Sequence, residues 1–400
     1  MRNPKRLLCF LTIMLFLFAP AAAAEERTAW ALGSKGAEVL QIKKKLQELR
    51  YIASGSLTKE YTEKTAKAVF SFQEYNNLPA NGEVDSETWE RLFSEDAVSM
   101  PYATLPPLNP AVNTPPPPEW PERDEKGYLM KTGEFFHEDD ENGYWVYLSQ
   151  DLQIQICRKT DFGIPMIWFE TDIKMRNGES FHAALTDPEH PGKQLQYPYV
   201  ISRNEQFVLG FTDDFFAARM SDHKSTGVII RNGRIISEET NRKRGHHLPN
   251  LDMMVQYPDG KLEVLECNEY SAEELLNKGA VNVFSFGPIL IRDGIINEMV
   301  YTWYRDTEAR QALGMIEPGH YLLLSVQGRI KKSRGTMLQR VAEMMKEKGV
   351  TDALNLDGGN TMALVFRGRM LNKLATYRKK SFVRTVTSII GVGHTESQDE

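Results

Sequence analysis

Ala353-Leu354-Asn355-Leu356-Asp357-Gly358-Gly359-Asn360-Thr361-Met362 is the most informative stretch of this 400-residue chain. An apolar run reads as a strand that ends on a carboxylate. Two glycines and a polar pair follow, and then a second strand through Phe366. Glycines at such a point let backbone amides approach a ligand closely, and the tight turn presents Asp357 at a strand end. Taken alone, Asp357-Gly358-Gly359-Asn360 reads equally as an ordinary turn.

Working outward, Trp168 to Met175 alternates like a strand, as do Gly227 to Ile230 and Leu262 to Leu265. The pairs Asn232-Gly233, Asp259-Gly260 and Asp293-Gly294 mark hairpins. The clearest helix is about 336–348, where Leu338, Val341, Ala342 and Met345 form an apolar stripe that Gly349 ends. Strands in excess with some helices predict an α+β domain over 127–394, built on a mixed or antiparallel sheet.

A proline-rich linker, 97–126, precedes it. Nine prolines fall within 101–121, including Pro115 to Pro118. Such a segment favours an extended polyproline helix, with roughly 60 Å of reach at about 3.1 Å per residue. Before the linker, residues 30–96 read as a small helical domain. Val39, Ile42, Leu46 and Leu49 mark one helix and Thr65, Ala68, Val69, Phe72 and Gln73 a second. A third, short one carries Thr88, Trp89 and Leu92 after the turn Asn81-Gly82, with Asp85 or Ser86 as its cap.

The first 24 residues predict export. Arg2, Lys5 and Arg6 precede a 13-residue apolar run, Leu7 to Ala19, and then Pro20 and Ala21 to Ala24. That run is short of the roughly 20 residues that span a bilayer, so a cleaved signal peptide over 1–24 is expected, and no membrane association afterwards. The remaining chain holds 45 basic and 54 acidic residues, a formal −9, which excludes a generic nucleic-acid binder. Cys157 and Cys267 remain, as a disulfide or as two buried thiols.

Two resemblances sharpen this. Gly33-x-x-Gly36-x-x-Val39-Leu40-Gln41, Leu46, Leu49, Tyr51 and Thr65-x-x-Ala68-Val69-x-x-Phe72-Gln73 resemble the peptidoglycan-binding type 1 domain. So does Leu78-x-x-x-Gly82-x-Val84-x-x-x-Thr88-Trp89-x-x-Leu92. The resemblance implies a three-helix bundle and a peptidoglycan or other cell-wall glycan as partner. Most of these positions also read as core and turn residues.

In the large domain, Asn355-Leu356-Asp357-Gly358-Gly359 resembles the signature of the phosphodiester glycosidases. Four further segments resemble that family's pattern in its order: Leu209 to Phe216, Phe284 to Leu290, Ala309 to Gly314, and Tyr321 to Arg329 with Ser333-x-Gly335. The chain departs from the pattern at Gln311, Gln327, Asn360 and the Asp213-Asp214 pair. The resemblance implies a secreted hydrolase that cleaves sugar-1-phosphodiester bonds in a wall polymer or exopolysaccharide.

That chemistry needs a carboxylate at the anomeric carbon and a guanidinium fork for the phosphate. Asp357 is expected in the first role and Arg310 in the second, with Asp214 as a partner carboxylate. Amides near Gly287, Gly358 and Gly359, and the side chains of Asp213, Ser285, Asn355, Asn360 and Thr361, are expected to bind substrate. The competing readings are a surface ion pair with Glu308 for Arg310, a turn cap for Asp213 and Asp214, and a satisfied strand residue for Ser285.

No metal or cofactor is expected. Adjacent His246 and His247 point to opposite faces of a strand, and Cys267 lacks a placed histidine base. The alternative class is a non-catalytic protein that grips an anionic glycan without cutting it.

Overall fold

The computed structural model describes residues 29–52, 57–102, 105–111, 119–161, 163–213, 227–239, 251–302, 306–373, 376–377, 380–381 and 383–395. The expected signal peptide, Pro115 to Pro118, Asp214 and His246-His247 lie outside them. The chain divides into two compact units after Pro101.

The first unit holds three helices, Ala37–Glu48, Glu63–Tyr75 and Ser86–Leu92. Their apolar stripes meet in a core of Val39, Ile42, Leu46, Val69, Phe72 and Leu92. Thr62 caps the second helix through a capping box with Thr65, and Asp85 caps the third by accepting from Thr88 N–H. Gln73 explains part of the sequence pattern. Its Oε1 accepts from the amides of Asn81 (3.0 Å) and Gly82 (2.8 Å), and its Nε2 donates to Glu83 O and Thr88 Oγ1. The buried amide therefore builds the turn between the second and third helices.

The second unit is antiparallel throughout its strand pairings among the described residues. Of the two sheet types the sequence leaves open, antiparallel is the one formed. A nine-stranded sheet runs, edge to edge, 135–139, 144–148, 152–161, 166–175, 320–326, 310–317, 352–356, 289–292 and 295–296. A five-stranded sheet follows the order 262–265, 252–256, 282–286, 227–231 and 234–239. Another takes 369–370, 364–366, 207–211, 388–394 and 181–185.

Period-two alternation assigns the faces of the large sheet. Ile154, Ile156, Phe169, Ile173, Leu313, Leu323, Leu354 and Leu356 point into the main core with Phe211, Met254, Phe284, Leu364 and Ile390 of the smaller sheets. The opposite face, with Trp168, Ala312, Leu322, Leu324 and Ala353, is covered by Leu338, Val341, Ala342 and Met345 of the helix Leu338–Glu347. The central strands are thus buried on both sides, and their ends alone can present polar groups.

Part of the proline-rich segment lies on this unit. Ala111 forms a bridge with Thr160, and Asn109 N–H donates to Asp161 Oδ2 at 2.7 Å. Pro106 O accepts from Arg340, and Leu108 packs against the helix-side core. Residues 105–111 are therefore strapped chain, not the free polyproline spacer expected of them. No disulfide joins Cys157 and Cys267. Among the described residues, no helix is long and apolar enough to cross a membrane.

Candidate functional site

Strands Asp352–Leu356 and Arg310–Glu317 pair with Gln311 opposite Leu356. One residue beyond that pair, Arg310 and Asp357 stand together at the end of the ladder. The turn after Asp357 folds back onto the entry to the neighbouring strand, where Gly359 N–H donates to Ala309 O at 3.0 Å. Gly358 is where the backbones touch. A Cβ there would lie 2.4 Å from Ala309 O. Gly335 presses on the same segment from another side, its Cβ position 2.2 Å from Glu308 O. The segment 308–310 is thus wedged among loops that lack side chains at the contacts.

The Arg310 guanidinium is oriented by backbone carbonyls, donating to Asp306 O (2.9 Å) and Thr336 O (3.3 Å). Glu308 pairs with Arg329, whose Nη1 also donates to Asn360 Oδ1 at 3.1 Å. Arg384 donates to Thr361 Oγ1 at 2.9 Å. Two guanidinium groups, those of Arg329 and Arg384, therefore touch side chains of the Asp357–Thr361 turn, and Arg310 enters from the adjoining strand. A phosphate diester is the kind of anion such an arrangement can hold.

Asp213 is interior, 1 % exposed. Its carboxylate accepts from Arg231 Nη2 (3.3 Å) and from Ser388 Oγ, and its carbonyl oxygen accepts Asp357 N–H at 3.3 Å. Thr212 beside it accepts Ala363 N–H at 2.7 Å and donates to Thr361 O at 2.9 Å. Gln311 meets Thr212 N–H through Oε1 and donates to Ser325 Oγ and Ala363 O. This departure from the family pattern is thus spent in the buried joint between sheets.

Ser285 lies on the strand 282–286 of a five-stranded sheet, and Gly287 follows the end of that strand. Ser285 is fully buried and donates to Val228 O at 2.6 Å. Gly287 and Asn355 bond reciprocally, Gly287 N–H to Asn355 O (3.0 Å) and Asn355 Nδ2 to Gly287 O (2.9 Å). Asn355 Oδ1 is buried without a hydrogen-bond partner. Asp252 fixes the same corner, accepting from Cys267 N–H (3.3 Å) and Ile289 N–H (3.0 Å). Asp357, Arg310, Gly358, Gly359, Asn360, Thr361 and Asp213 are thereby brought together, with Asn355 and Gly287 two residues up the strand. Ser285 faces a neighbouring strand's backbone.

Sequence reasoning missed Arg231, Ser388, Arg329 and Arg384. Arg329 stood at the edge of a quoted segment, two residues after the departing Gln327. Arg231, Ser388 and Arg384 carry no spacing signal, because segments distant in sequence bring them in.

Residues 205–393 match the family model described as phosphodiester glycosidase, and residues 35–92 match that of the putative peptidoglycan binding domain. By family, the large unit carries a phosphodiester glycosidase domain. The small unit carries a peptidoglycan-binding domain over 35–92.

The SPbeta prophage-derived uncharacterized protein YomE of Bacillus subtilis (strain 168) is 29 % identical over 136 residues. That match covers 33 % of this chain and 21 % of YomE, so the chain spans about a fifth of that relative's length. Among solved structures, the catalytic domain of zebrafish N-acetylglucosamine-1-phosphodiester alpha-N-acetylglucosaminidase, auto-inhibited by its pro-peptide, matches 70 % of this chain. The match takes in 87 % of that domain at 17 % identity and a TM-score of 0.47. A hypothetical protein from Synechocystis matches 61 % of this chain and 62 % of its own, with 14 % identity and a TM-score of 0.44.

On the small unit, Trp30 stacks on Trp89 with centroids 4.7 Å apart, and Trp89 meets Phe93 at 4.6 Å. Phe93 is 41 % exposed, so this aromatic row reaches the surface. Among the described residues, no group of three His, Cys, Asp or Glu side chains is placed to hold a metal ion.

Proposed function

We propose that the large unit hydrolyses sugar-1-phosphodiester bonds, with Asp357 at the anomeric carbon and Arg310 on the phosphate. The observation that carries this is the placement of Asp357 and Arg310 one residue beyond the Gln311–Leu356 pair at one ladder end, within a phosphodiester glycosidase domain. Water replaces the phosphate at the anomeric carbon, releasing the free sugar and a phosphomonoester. The phosphate leaves as a stabilised anion, so the bond asks less of a general acid than an ordinary glycoside does. The carboxylate serves as nucleophile, base or stabiliser of the developing cation, while the guanidinium takes the charge gathering on the leaving oxygens.

Arg329 and Arg384 extend that anion-binding border, and the amide of Gly358 lies beside it, that of Gly359 being spent on Ala309 O. Asn360, Thr361 and Asn355 complete the substrate contacts, and Asp214, next to the anchored Asp213, supplies a second carboxylate. The peptidoglycan-binding unit, with its exposed aromatic row, favours a substrate within an exported protein's reach at the wall. An amino-sugar-1-phosphate diester joining an anionic polymer to peptidoglycan has that chemistry.

The test is turnover of a synthetic N-acetylglucosamine-1-phosphodiester by wild type beside Asp357→Ala. Free sugar from wild type alone is expected. Equal inactivity of both proteins on this and related sugar-1-phosphodiesters sinks the reading.

A further inference from the structure

The nine-stranded sheet and both five-stranded sheets of the large unit converge on residues 212–213. Arg231 closes a strand of one small sheet, and Ser388 opens a strand of the other. Both side chains end on the Asp213 carboxylate. From the large sheet comes Asp357, whose N–H meets the Asp213 carbonyl at 3.3 Å. Thr212 then holds the far end of the same turn through Thr361 O at 2.9 Å. Residues 212 and 213 thus staple the Asp357–Thr361 turn at both ends.

We propose that the buried Asp213–Arg231–Ser388 cluster is a positioning device that sets the backbone of Asp357, an inference that rests on the reading of Asp357 as the reacting carboxylate. The Asp213 carboxylate is pinned from two sheets, so the peptide carrying its carbonyl oxygen cannot turn away from Asp357. Arg231 is itself locked, donating to Val283 O (2.5 Å) and Ile230 O (3.2 Å) and lying 4.4 Å from the Phe284 ring centroid. Burial lowers its pKa to about 10 against the raising effect of Asp213, so it stays charged at neutral pH.

Stability is a poor account of the pair. A buried ion pair costs desolvation that apolar packing avoids. What it supplies here is a fixed direction for one carbonyl, one hydrogen bond from the chemistry. Displacement of a reacting group by a fraction of an ångström is enough to slow a step without weakening binding.

The full chain carrying Ser388→Ala, and separately Arg231→Lys, tests this by turnover of the N-acetylglucosamine-1-phosphodiester and by amide hydrogen exchange. Wild type and Asp357→Ala serve as references. The expected result is a kcat lower by about ten- to a hundredfold with KM within about twofold. Faster exchange confined to the 353–362 segment is expected with it, at a melting temperature close to wild type. Unchanged kcat, or a loss that follows the unfolded fraction with exchange rising everywhere, overturns the proposal. Should wild type and Asp357→Ala be equally inert, the active-site reading fails by itself. Exchange at Asp357 then decides the anchoring, and unchanged protection in both variants overturns it.

Discussion

At the residue scale, the contact between Gly358 and Ala309 sets the spacing of the proposed pair. Gly358 has no positive φ, so alanine suits its backbone, and only the close approach to Ala309 O forbids a side chain. Gly358→Ala must push the Asp357 turn away from the strand that carries Arg310. Overpacking of this kind costs about 1–3 kcal/mol of stability. The displacement is expected to lower kcat by about a hundredfold, more than the modest fall in melting temperature implies. Steady-state kinetics beside a thermal melt checks it, and a kcat equal to wild type refutes it. Asp357, Arg310 and the glycines were legible in sequence because they fall within short runs. The Asp213 partners were not. Arg231 and Ser388 reach one carboxylate from strands that are far apart in the chain, and no local pattern records that.

At the element scale, the helix Leu338–Glu347 is tied to the sheet by Glu170. That carboxylate accepts from Lys159 Nζ (2.6 Å), Trp168 Nε1 (3.0 Å) and Lys348 Nζ (2.9 Å). Lys348 caps the helix C-terminus, where a cation also complements the helix dipole. Burial raises the Glu170 pKa, but Lys159, Trp168 and Lys348 outweigh it and leave the carboxyl below its ordinary 4.5. A depressed folded pKa contributes stability that is present above the unfolded value and lost as pH falls through the folded one. Glu170→Gln is therefore expected to cost about 2 kcal/mol at neutral pH, with the gap to wild type closing as pH drops below about 4.5. Urea unfolding at several pH values measures it, and a gap that persists at low pH contradicts it. The helix was readable from its stripe of Leu338, Val341, Ala342 and Met345. Its docking was not, since Glu170 lies far upstream within a strand whose alternation says only which face is wet. The sheet order was equally hidden, because Met166–Met175 pairs with His320–Val326 across a long interval of chain.

At the scale of the whole molecule, the large unit begins earlier than the end of its proline-rich approach. Prolines favour an extended polyproline helix that packs no core, and the sequence for that reason reads 97–126 as linker. Yet Asn109 and Ala111 are not prolines, and their amides bond to Asp161 and Thr160 on the edge of the unit. Leu108 adds apolar contact, and Tyr102 stacks on Tyr301 with centroids 4.0 Å apart. Arg340 of the long helix holds Pro106 O. Two large units, one starting at Tyr102 and one at Glu119, separate strap from spacer. The longer form is expected to melt about 3–6 °C above the shorter, the effect of roughly 2 kcal/mol of burial and hydrogen bonding. Activity per folded molecule should be equal in both, because none of the strap's partners borders the Asp357 turn. Equal melting temperatures return the segment to the role of plain linker, while a difference in that range makes residues 102–111 part of the fold.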